Sequence, residues 1–401
     1  MKKKELVFVM KVMNGGGAER VISLLTSATV NREFDVTLLI THQKKSDSVL
    51  MDIDSRVNVI SLPDEVEQAE FSTFSEKMLF LCSRILGKVG KLISEKIFYK
   101  SLVLKYFAYN FNNVCWMKKY FRKHSDATVI AFLYDSIFYS LLSVSKKNKL
   151  IISERGDPCQ SLASKTTMAF LKNEFQKADA FVFQSPDVAK WYEENTKVRG
   201  TVIFNPIKDG LPERCTGVRQ KKIVNFCRIS VEKNLVLFLD AFDIFYKAYP
   251  EYELYIYGDP IGNDGADYLD KVNKHLSGLD CRENVYILPS KKDIHNEIID
   301  YSMFVSSSDF EGMSNSMLEA MAIGLPCVCT DCPAGGARAV IKDGENGLLV
   351  PVNDADALGN AMIRVVAENG LGEKLSFNAS QIKSSQSLEK IIDKWMEIIN
   401  D

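Results

Sequence analysis

Residues 306–350 read SSSDFEGMSNSMLEAMAIGLPCVCTDCPAGGARAVIKDGENGLLV, and this stretch carries the strongest fold signal in the chain. An apolar strand is followed by a polar loop and then by a helix predicted over residues 314–322, where apolar side chains recur at helical spacing. Gly324 and Pro326 end that helix, and a new strand begins at Cys327. The stretch is therefore one βαβ unit, and its loop lies where open parallel sheets bind ligands.

Two carboxylates belong to this unit, Glu311 in the loop and Glu319 on the helix. Between them lie four residues whose backbone amides are near the helix start: Gly312, Met313, Ser314 and Asn315. Free amides and the helix dipole favour a phosphate there, and carboxylates accept hydrogen bonds from hydroxyls. Hydroxyls plus phosphate describe a nucleotide-sugar. The spacing alone equally allows an N-cap acid and a solvated helix glutamate.

The run FEGMSNSMLEAMAIGLPCV, with its E-x7-E pair, and the later DGENGLLVP resemble the donor site of the GT4 family of retaining glycosyltransferases. The resemblance implies an α/β protein of the GT-B fold, in which two Rossmann-like domains face each other across a cleft and a C-terminal helix returns to the first domain. It implies that Glu311 contacts the donor sugar and Glu319 the ribose. It places the nucleotide base at Leu288 and Pro289.

The start of the second half carries another mark of the family. Arg228 and Lys233 flank a strand-to-helix loop and match the family's G-R-x-x-x-x-K-N pattern, although Cys227 replaces the usual glycine. Two cations at such a loop can neutralise a departing diphosphate. Both are therefore predicted to be catalytic together with Glu311. Surface cations are common, so the pattern gains its specificity from occurring with Glu311.

A glycine loop follows the first predicted strand, over residues 6–12. Glycines at a strand-to-helix turn let a ligand approach the backbone amides. The pattern is not G-x-G-x-x-G, so NAD is not expected, and a plain tight turn is the alternative. GGGAER is similar to the amino-terminal glycine loop of the same family, which implies contacts with the donor phosphates at Gly16 and Gly17.

Glu154 and Arg155 end another predicted strand, in the run ISERGDP. Many GT4 members have a His in this vicinity, whereas ERGDP is similar to a variant of bacterial polysaccharide transferases. No family His can therefore be carried over to this chain. Charged residues at the carboxyl end of a strand can meet a ligand, so the pair is predicted to contact the acceptor or a sugar. A salt-bridged loop is the alternative.

Residues 76–124 are strongly basic, with eleven Lys and Arg against two acids, and they are interleaved with aromatic residues. Apolar residues at helical spacing with cations opposite them are typical of a helix lying on an anionic membrane surface. A core-packed helix with a solvated basic face is the alternative. No nucleic-acid-binding module accompanies the charge, and the net charge of −2 gives no general attraction to nucleic acid.

The length of 401 residues, with 46% hydrophobic and 25% charged, allows two domains. We predict a first domain over residues 1–207, a second over 208–385 that opens with a linker, and a terminal helix over 386–401. No apolar run is long enough to span a membrane, and the amino end is too interrupted for a signal peptide, so a cytoplasmic protein is expected. Nine scattered cysteines predict reduced thiols.

Neither a metal nor a cofactor is expected. Cys327, Cys329 and Cys332 lack a nearby His and fit a buried strand, where free cysteine behaves as a small hydrophobe. The two D-x-D matches, at residues 52–54 and 354–356, lack the βα context and are interpreted as surface acids. The cations at 228 and 233 would then do the work of a metal.

The predicted function is transfer of a sugar, with retention of configuration, from a nucleotide-sugar to a lipid-linked saccharide in bacterial surface polysaccharide synthesis. UDP is the commoner donor nucleotide in the family. The enzyme would lie on the inner face of the cell membrane. Two alternatives stay open: a nucleotide-sugar epimerase of similar architecture, and a non-catalytic nucleotide-sugar-binding protein of the same fold. The sequence does not identify the sugar, the linkage or the polysaccharide.

Overall fold

The computed structural model describes residues 3–50, 53–68, 102–161 and 172–401, which fall into two compact units. The first unit takes its described residues from Met1–Phe183, Ala189–Ile203 and Ile392–Asp401. The second unit comprises Gln184–Val188 and Phe204–Ile391. Most of the basic region predicted over residues 76–124 lies outside the described residues, which resume at residue 102.

The first unit is built on a seven-stranded parallel sheet with the strand order β3-β2-β1-β4-β5-β6-β7. Its strands form because short apolar runs are buried on both faces of the sheet; residues 6–10 of β1 are at most 1% exposed. The strands are β1 (Glu5–Met10), β2 (Asp35–Ile40), β3 (Asn58–Ser61), β4 (Thr128–Phe132), β5 (Lys149–Glu154), β6 (Ala180–Phe183) and β7 (Thr201–Val202).

The helices described between these strands follow the alternating βα order that parallel crossovers require. They are α1 (Gly17–Val30), α2 (Leu62–Gln68), α3 (Leu102–Lys123), α4 (Leu133–Ser143), α5 (Pro158–Ser161) and α6 (Pro186–Thr196). The terminal helix also contributes to the first unit: Trp395 is 1% exposed and stacks on Phe132, with ring centroids 5.9 Å apart.

The second unit has a six-stranded parallel sheet with the strand order β10-β9-β8-β11-β12-β13. Its strands are β8 (Gln220–Phe226), β9 (Glu253–Tyr257), β10 (Val285–Leu288), β11 (Tyr301–Ser306), β12 (Cys327–Thr330) and β13 (Leu348–Val350). The cysteines of β12 are buried in this sheet, as expected of small hydrophobes.

Helices cover the second sheet, and their buried residues form two hydrophobic clusters with it. They are α7 (Leu235–Ala248), α8 (Gly262–Leu276), α9 (His295–Ile298), α10 (Asn315–Ala322), α11 (Ala355–Ala367), α12 (Leu371–Ser380) and α13 (Ile382–Ser385). The terminal helix, α14 (Leu388–Asn400), belongs to the first unit from Ile392 onward. Of the helices in the described residues, none combines the length and apolarity needed to cross a bilayer.

The segment predicted as a linker is fastened to the second unit. Arg219 donates hydrogen bonds to the carbonyl oxygens of Tyr301, at 2.8 Å, and Gly324, at 2.7 Å. Asn205 also belongs to this unit, whose longer segment is Phe204–Ile391. A polar, turn-rich composition gave no sign of these contacts, because their partners lie far along the chain.

The order of each sheet reverses once, between β1 and β4 in the first unit and between β8 and β11 in the second. At such a switch point the two adjacent strands send their connections to opposite faces of the sheet, which leaves a crevice at the carboxyl edge. The loops after β8 and β11, which carry the predicted catalytic residues, flank this point in the second unit.

Candidate functional site

The two loops at the switch point of the second sheet are joined by backbone hydrogen bonds. The Asp309 amide donates to the Glu232 carbonyl at 2.9 Å, and the Ser307 hydroxyl donates to the Lys233 carbonyl at 2.9 Å. Thr330, at the end of β12, donates from its hydroxyl to the Ser308 carbonyl at 2.6 Å. The loops after β8 and β11 are thus held as one structure.

Lys233 and Glu311, from these two loops, form an ion pair through Nζ and Oε2. The side chains are 14% and 25% exposed, so the pair is shielded but still open to solvent on one side. Burial opposes the charge of Lys233, but the Glu311 carboxylate outweighs it and raises the pKa of the Lys233 ammonium. The structure therefore brings together two of the three predicted catalytic residues.

Asn234 fixes the position of Lys233. Its backbone is left-handed, with φ +43°, a conformation that Asn tolerates better than most residues. Its side-chain oxygen accepts from the Leu237 amide at 3.2 Å and caps α7, while its Nδ2 donates to Asp309 at 2.8 Å. The sequence showed Asn234 only as part of a pattern; its cap could have been found from its place directly before a helix.

Arg228 lies at the same loop but is more exposed than Lys233. Its side chain is 49% exposed, and its NH2 atom is 3.5 Å from Oε1 of Glu232. Cys227, in place of the family's glycine, is tolerated because the close backbone approach falls at Gly258, where a Cβ would lie 1.9 Å from the Cys227 carbonyl oxygen. Burial raises the pKa of the Cys227 thiol to about 12, so it stays protonated.

The amides between Glu311 and α10 are held in place from several sides. Ser314 is the N-cap of α10, and its hydroxyl accepts from the Met317 amide at 3.3 Å. Asn205 donates to the Met313 carbonyl at 3.1 Å and to Oδ1 of Asn315 at 2.8 Å. At Gly336 a Cβ would lie 1.6 Å from the Gly312 carbonyl oxygen, so only glycine fits there.

Glu319 lies on α10 and is buried, with 5% of its side chain exposed. Its Oε2 is 2.8 Å from Nε2 of His295, the first residue of α9. Sequence reasoning missed His295, because a His 24 residues before a Glu gives no local signal of contact. The predicted contact of Glu319 with a ribose stays a prediction.

The predicted base contacts lie at the end of β10. The Leu288 carbonyl accepts a hydrogen bond from the Gly258 amide at 2.8 Å, and Pro289 is exposed. Ser290 bonds to Asp259 through both its amide and its hydroxyl, which joins the loops after β9 and β10. Contact of Leu288 and Pro289 with a nucleotide base stays a prediction.

In the first unit, the glycine loop turns through Gly15, with φ +79°, and enters α1 at Gly16. A Cβ at Gly16 would lie 2.4 Å from Oε2 of Glu19, so the carboxylate of the first helical turn occupies the space beside the loop. Acids are favoured at this end of a helix. Donor contacts at Gly16 and Gly17 stay a prediction.

Glu154 and Arg155 are buried, with 1% and 7% exposure. Glu154 accepts from the amides of Arg155 and Gly156, at 3.0 and 2.9 Å, and from the Tyr192 hydroxyl at 3.0 Å. Arg155 donates to the Ser153 hydroxyl and to a backbone carbonyl, both at 2.9 Å. Burial raises the pKa of the Glu154 carboxyl and lowers that of Arg155 to about 9. These hydrogen bonds hold both side chains within the first unit, and contact with a sugar stays a prediction.

Among the described residues no cluster of His, Cys, Asp and Glu is arranged to hold a metal ion. One acid of each D-x-D match has a local partner. Asp354 caps α11 by accepting from the Ala357 amide at 2.8 Å, and Asp54 pairs with Arg56 at 2.6 Å. Independence from metal stays a prediction.

The site can now be compared with known proteins. The family model "Glycosyl transferases group 1" matches residues 220–368, which include both site loops and α10. The similarity to this family therefore covers the part of the chain that holds the Lys233–Glu311 pair.

Solved structures extend the likeness to the whole fold. Anabaena Alr3699/HepE in complex with UDP and glucose aligns with a TM-score of 0.74 at 17% identity and covers 100% of both chains. Staphylococcus aureus TarM, with UDP among its ligands, aligns with a TM-score of 0.74 at 14% identity and covers 99% of this chain and 100% of that chain. The predicted GT-B fold is confirmed.

Two proteins of similar sequence are also glycosyltransferases. The amylovoran biosynthesis glycosyltransferase AmsD of Erwinia amylovora is 22% identical over 99% of both chains. The UDP-Gal:alpha-D-GlcNAc-diphosphoundecaprenol alpha-1,3-galactosyltransferase of Escherichia coli is 26% identical over 48% of this chain and 49% of its own. These matches confirm the resemblance to GT4-type glycosyltransferases of polysaccharide biosynthesis.

Other relatives are much longer than the region they share with this chain. The poly(glycerol-phosphate) alpha-glucosyltransferase of Bacillus subtilis is 28% identical over 45% of this chain, but the match spans only 26% of that enzyme. An exopolysaccharide phosphotransferase of Streptomyces coelicolor matches over 23% of its own length. The shared region is therefore a module that occurs in larger proteins.

Proposed function

We propose that this protein is a retaining glycosyltransferase that moves a sugar from a nucleotide-sugar, with UDP as the nucleotide, to a lipid-linked saccharide of a bacterial surface polysaccharide. The observation that carries the proposal is the Lys233–Glu311 ion pair at the switch point of the second sheet. It lies within the region that matches the glycosyl transferases group 1 family, beside a helix start whose amides are fixed by the fold.

The residues divide the chemistry between them. In glycosyl transfer the departing diphosphate must be stabilised while positive charge develops at the anomeric carbon. Lys233 and Arg228 stabilise the diphosphate, and the amides near Ser314 add hydrogen bonds at the helix start. Glu311 accepts hydrogen bonds from the donor sugar. Lys233 pairs with Glu311, the residue that we assign to the donor sugar. Its ammonium group therefore lies close to the sugar and can contact the adjoining phosphate.

The acceptor half of the proposal is supported by the activity of a relative and by the basic region. The Escherichia coli relative is named for a diphosphoundecaprenol-linked acceptor. In the described part of the basic region, Val114, Met117 and Phe121 of α3 are at most 1% exposed, while Arg122 and Lys123 are exposed. Exposed cations opposite a packed face suit an anionic membrane surface, so we place the enzyme on the cytoplasmic face of the membrane.

The test is acceptor-dependent release of UDP. Purified protein is incubated with a panel of UDP-sugars, with and without a lipid-linked saccharide extracted from a polysaccharide-producing bacterium, and free UDP is measured. Release from one UDP-sugar only when acceptor is present supports transfer. Conversion of one UDP-sugar into its epimer without acceptor would instead identify an epimerase, and binding of UDP without turnover would identify a non-catalytic protein.

The site assignment is tested in the same assay with Glu311→Ala and a matched control, Glu283→Ala. Glu283 belongs to the same unit, but its side chain is 83% exposed and pairs only with the neighbouring Arg282. The first variant should lose release and the second should keep it. Full activity of Glu311→Ala would contradict the assignment.

A further inference from the structure

His295 and Glu319 form a buried pair that lies outside the two loops with the predicted catalytic residues. Nε2 of His295 is 2.8 Å from Oε2 of Glu319, and both side chains are only 5% exposed. The two residues come from different helices, α9 and α10, of the same unit. A pair so shielded from solvent keeps one geometry, because water cannot compete for its hydrogen bond.

The direction of this hydrogen bond follows from chemistry. When the Glu319 carboxylate is ionised it can only accept, so the imidazole then donates to it through Nε2–H. A carboxylate has about four lone-pair sites, so it can accept from more than one donor at a time. The imidazole ring is held in turn by Phe226, the last residue of β8, which meets it edge-on with ring centroids 5.8 Å apart.

His295 connects two segments of the second unit. His295 opens α9, which follows β10 and the loop at Leu288 and Pro289. Glu319 lies on the helix whose amino end carries the phosphate-binding amides. One hydrogen bond therefore connects the segment on which we place the nucleotide base with the carboxylate on which we place the ribose.

We infer that His295 is a positioning residue for the nucleotide: it orients Glu319 so that this carboxylate accepts hydrogen bonds from the ribose hydroxyls. The inference rests on the proposed function and extends it. His295 acts through Glu319 and does not itself touch the donor. Loss of its Nε2–H should therefore weaken recognition of the ribose hydroxyls and leave recognition of the base and diphosphate nearly unchanged.

The test compares two polar replacements of His295 by titration calorimetry with UDP and with 2′,3′-dideoxy-UDP. In His295→Gln the amide nitrogen reaches the place of Nε2, whereas in His295→Asn it reaches only the place of Nδ1. We expect wild type and His295→Gln to bind UDP about tenfold more tightly than the dideoxy nucleotide. In His295→Asn this ratio should fall below about twofold, with affinity for the dideoxy nucleotide unchanged.

A second variant, Glu319→Gln, distinguishes a positioning role of His295 from a general loss of structure at the site. In Glu319→Gln the ratio should already be low, and adding His295→Asn should lower it no further. If both His295 variants lose affinity for UDP and dideoxy-UDP in parallel, or if both keep the ratio of the wild type, the inference is wrong while the proposed function stands. If the wild-type protein binds no UDP, the proposed donor is wrong and the inference fails with it.

Discussion

Glu311 with Lys233 in the second unit and Glu154 with Arg155 in the first each place a carboxylate and a cation in loops at the carboxyl edge of a parallel sheet, yet their surroundings differ. Glu311 is a quarter exposed, and its partner is a side chain from another loop. Glu154 is 1% exposed, and two of its three hydrogen bonds come from the backbone of its own loop.

The strand order explains the difference. Glu311 follows β11, which borders β8 at the switch point, where the connections part and leave a crevice. Glu154 ends β5, which lies between β4 and β6, away from the switch point of its own sheet. The same residue types at the same edge are therefore partly exposed beside a switch point in one place and buried within their own loop in the other.

The largest effect expected from this contrast is the loss of activity in Glu311→Ala. We expect acceptor-dependent UDP release to fall by about 1,000-fold or more. The variant lacks the carboxylate that accepts hydrogen bonds from the donor sugar, and Lys233 loses its ion-pair partner. The melting temperature should stay within about 2 °C of wild type, because the side chain is partly exposed and contributes little packing. Rate and melting curve are measured on the same preparation.

The opposite outcome is expected for Glu154→Ala. Removing this carboxylate leaves the Tyr192 hydroxyl and two backbone amides without their acceptor and takes a negative charge away from the buried Arg155 side chain, which should cost about 3 kcal/mol of unfolding free energy. Urea unfolding followed by tryptophan fluorescence measures the change. The activity of the protein that remains folded should be close to wild type. A folded, stable variant that lacks activity would instead show that Glu154 contacts a sugar.

A smaller effect concerns pH. Because burial raises the pKa of Glu154 above its ordinary value of 4.5, the folded state favours the protonated carboxyl. Stability from this group is complete below pH 4.5 and is lost as pH rises through the folded-state pKa. Relative to Glu154→Gln, which cannot ionise, the wild type should therefore lose unfolding free energy from pH 4.5 upward. Urea unfolding of both proteins at several pH values measures the difference; a constant difference would contradict it.

The smallest effect is expected on removal of metal. If Lys233 and Arg228 meet the leaving diphosphate, EDTA should change the rate of UDP release by less than about twofold. A parallel reaction with added Mg²⁺ serves as the control. Loss of activity in EDTA with recovery in Mg²⁺ would show that the two cations are not sufficient.

Much of the fold was readable from local sequence. The helix predicted over residues 314–322 is Asn315–Ala322 with Ser314 as its N-cap. The strand predicted to begin at Cys327 is Cys327–Thr330. Such features depend on neighbours a few residues apart, so apolar runs, caps and glycines are enough to predict them.

The candidate site could be predicted only in part from the sequence. Lys233 and Glu311 were predicted to act together, and they do meet, although they are 78 residues apart in the chain. The His295–Glu319 contact and the part of Asn205 in holding residues 313–315 were not predicted. Nothing in the sequence around any one of these residues indicates its partner.

The sequence by itself determined the two series of buried parallel strands, the caps and turns between them, and the residue types that can bind a nucleotide-sugar. Tertiary structure alone decided which of those residues are open to a ligand. The strand order places Glu311 at a crevice and buries Glu154 within its own loop. Burial, and with it the pKa and the available hydrogen bonds of a charged group, depends on segments that are distant in the chain, so no local pattern can report it.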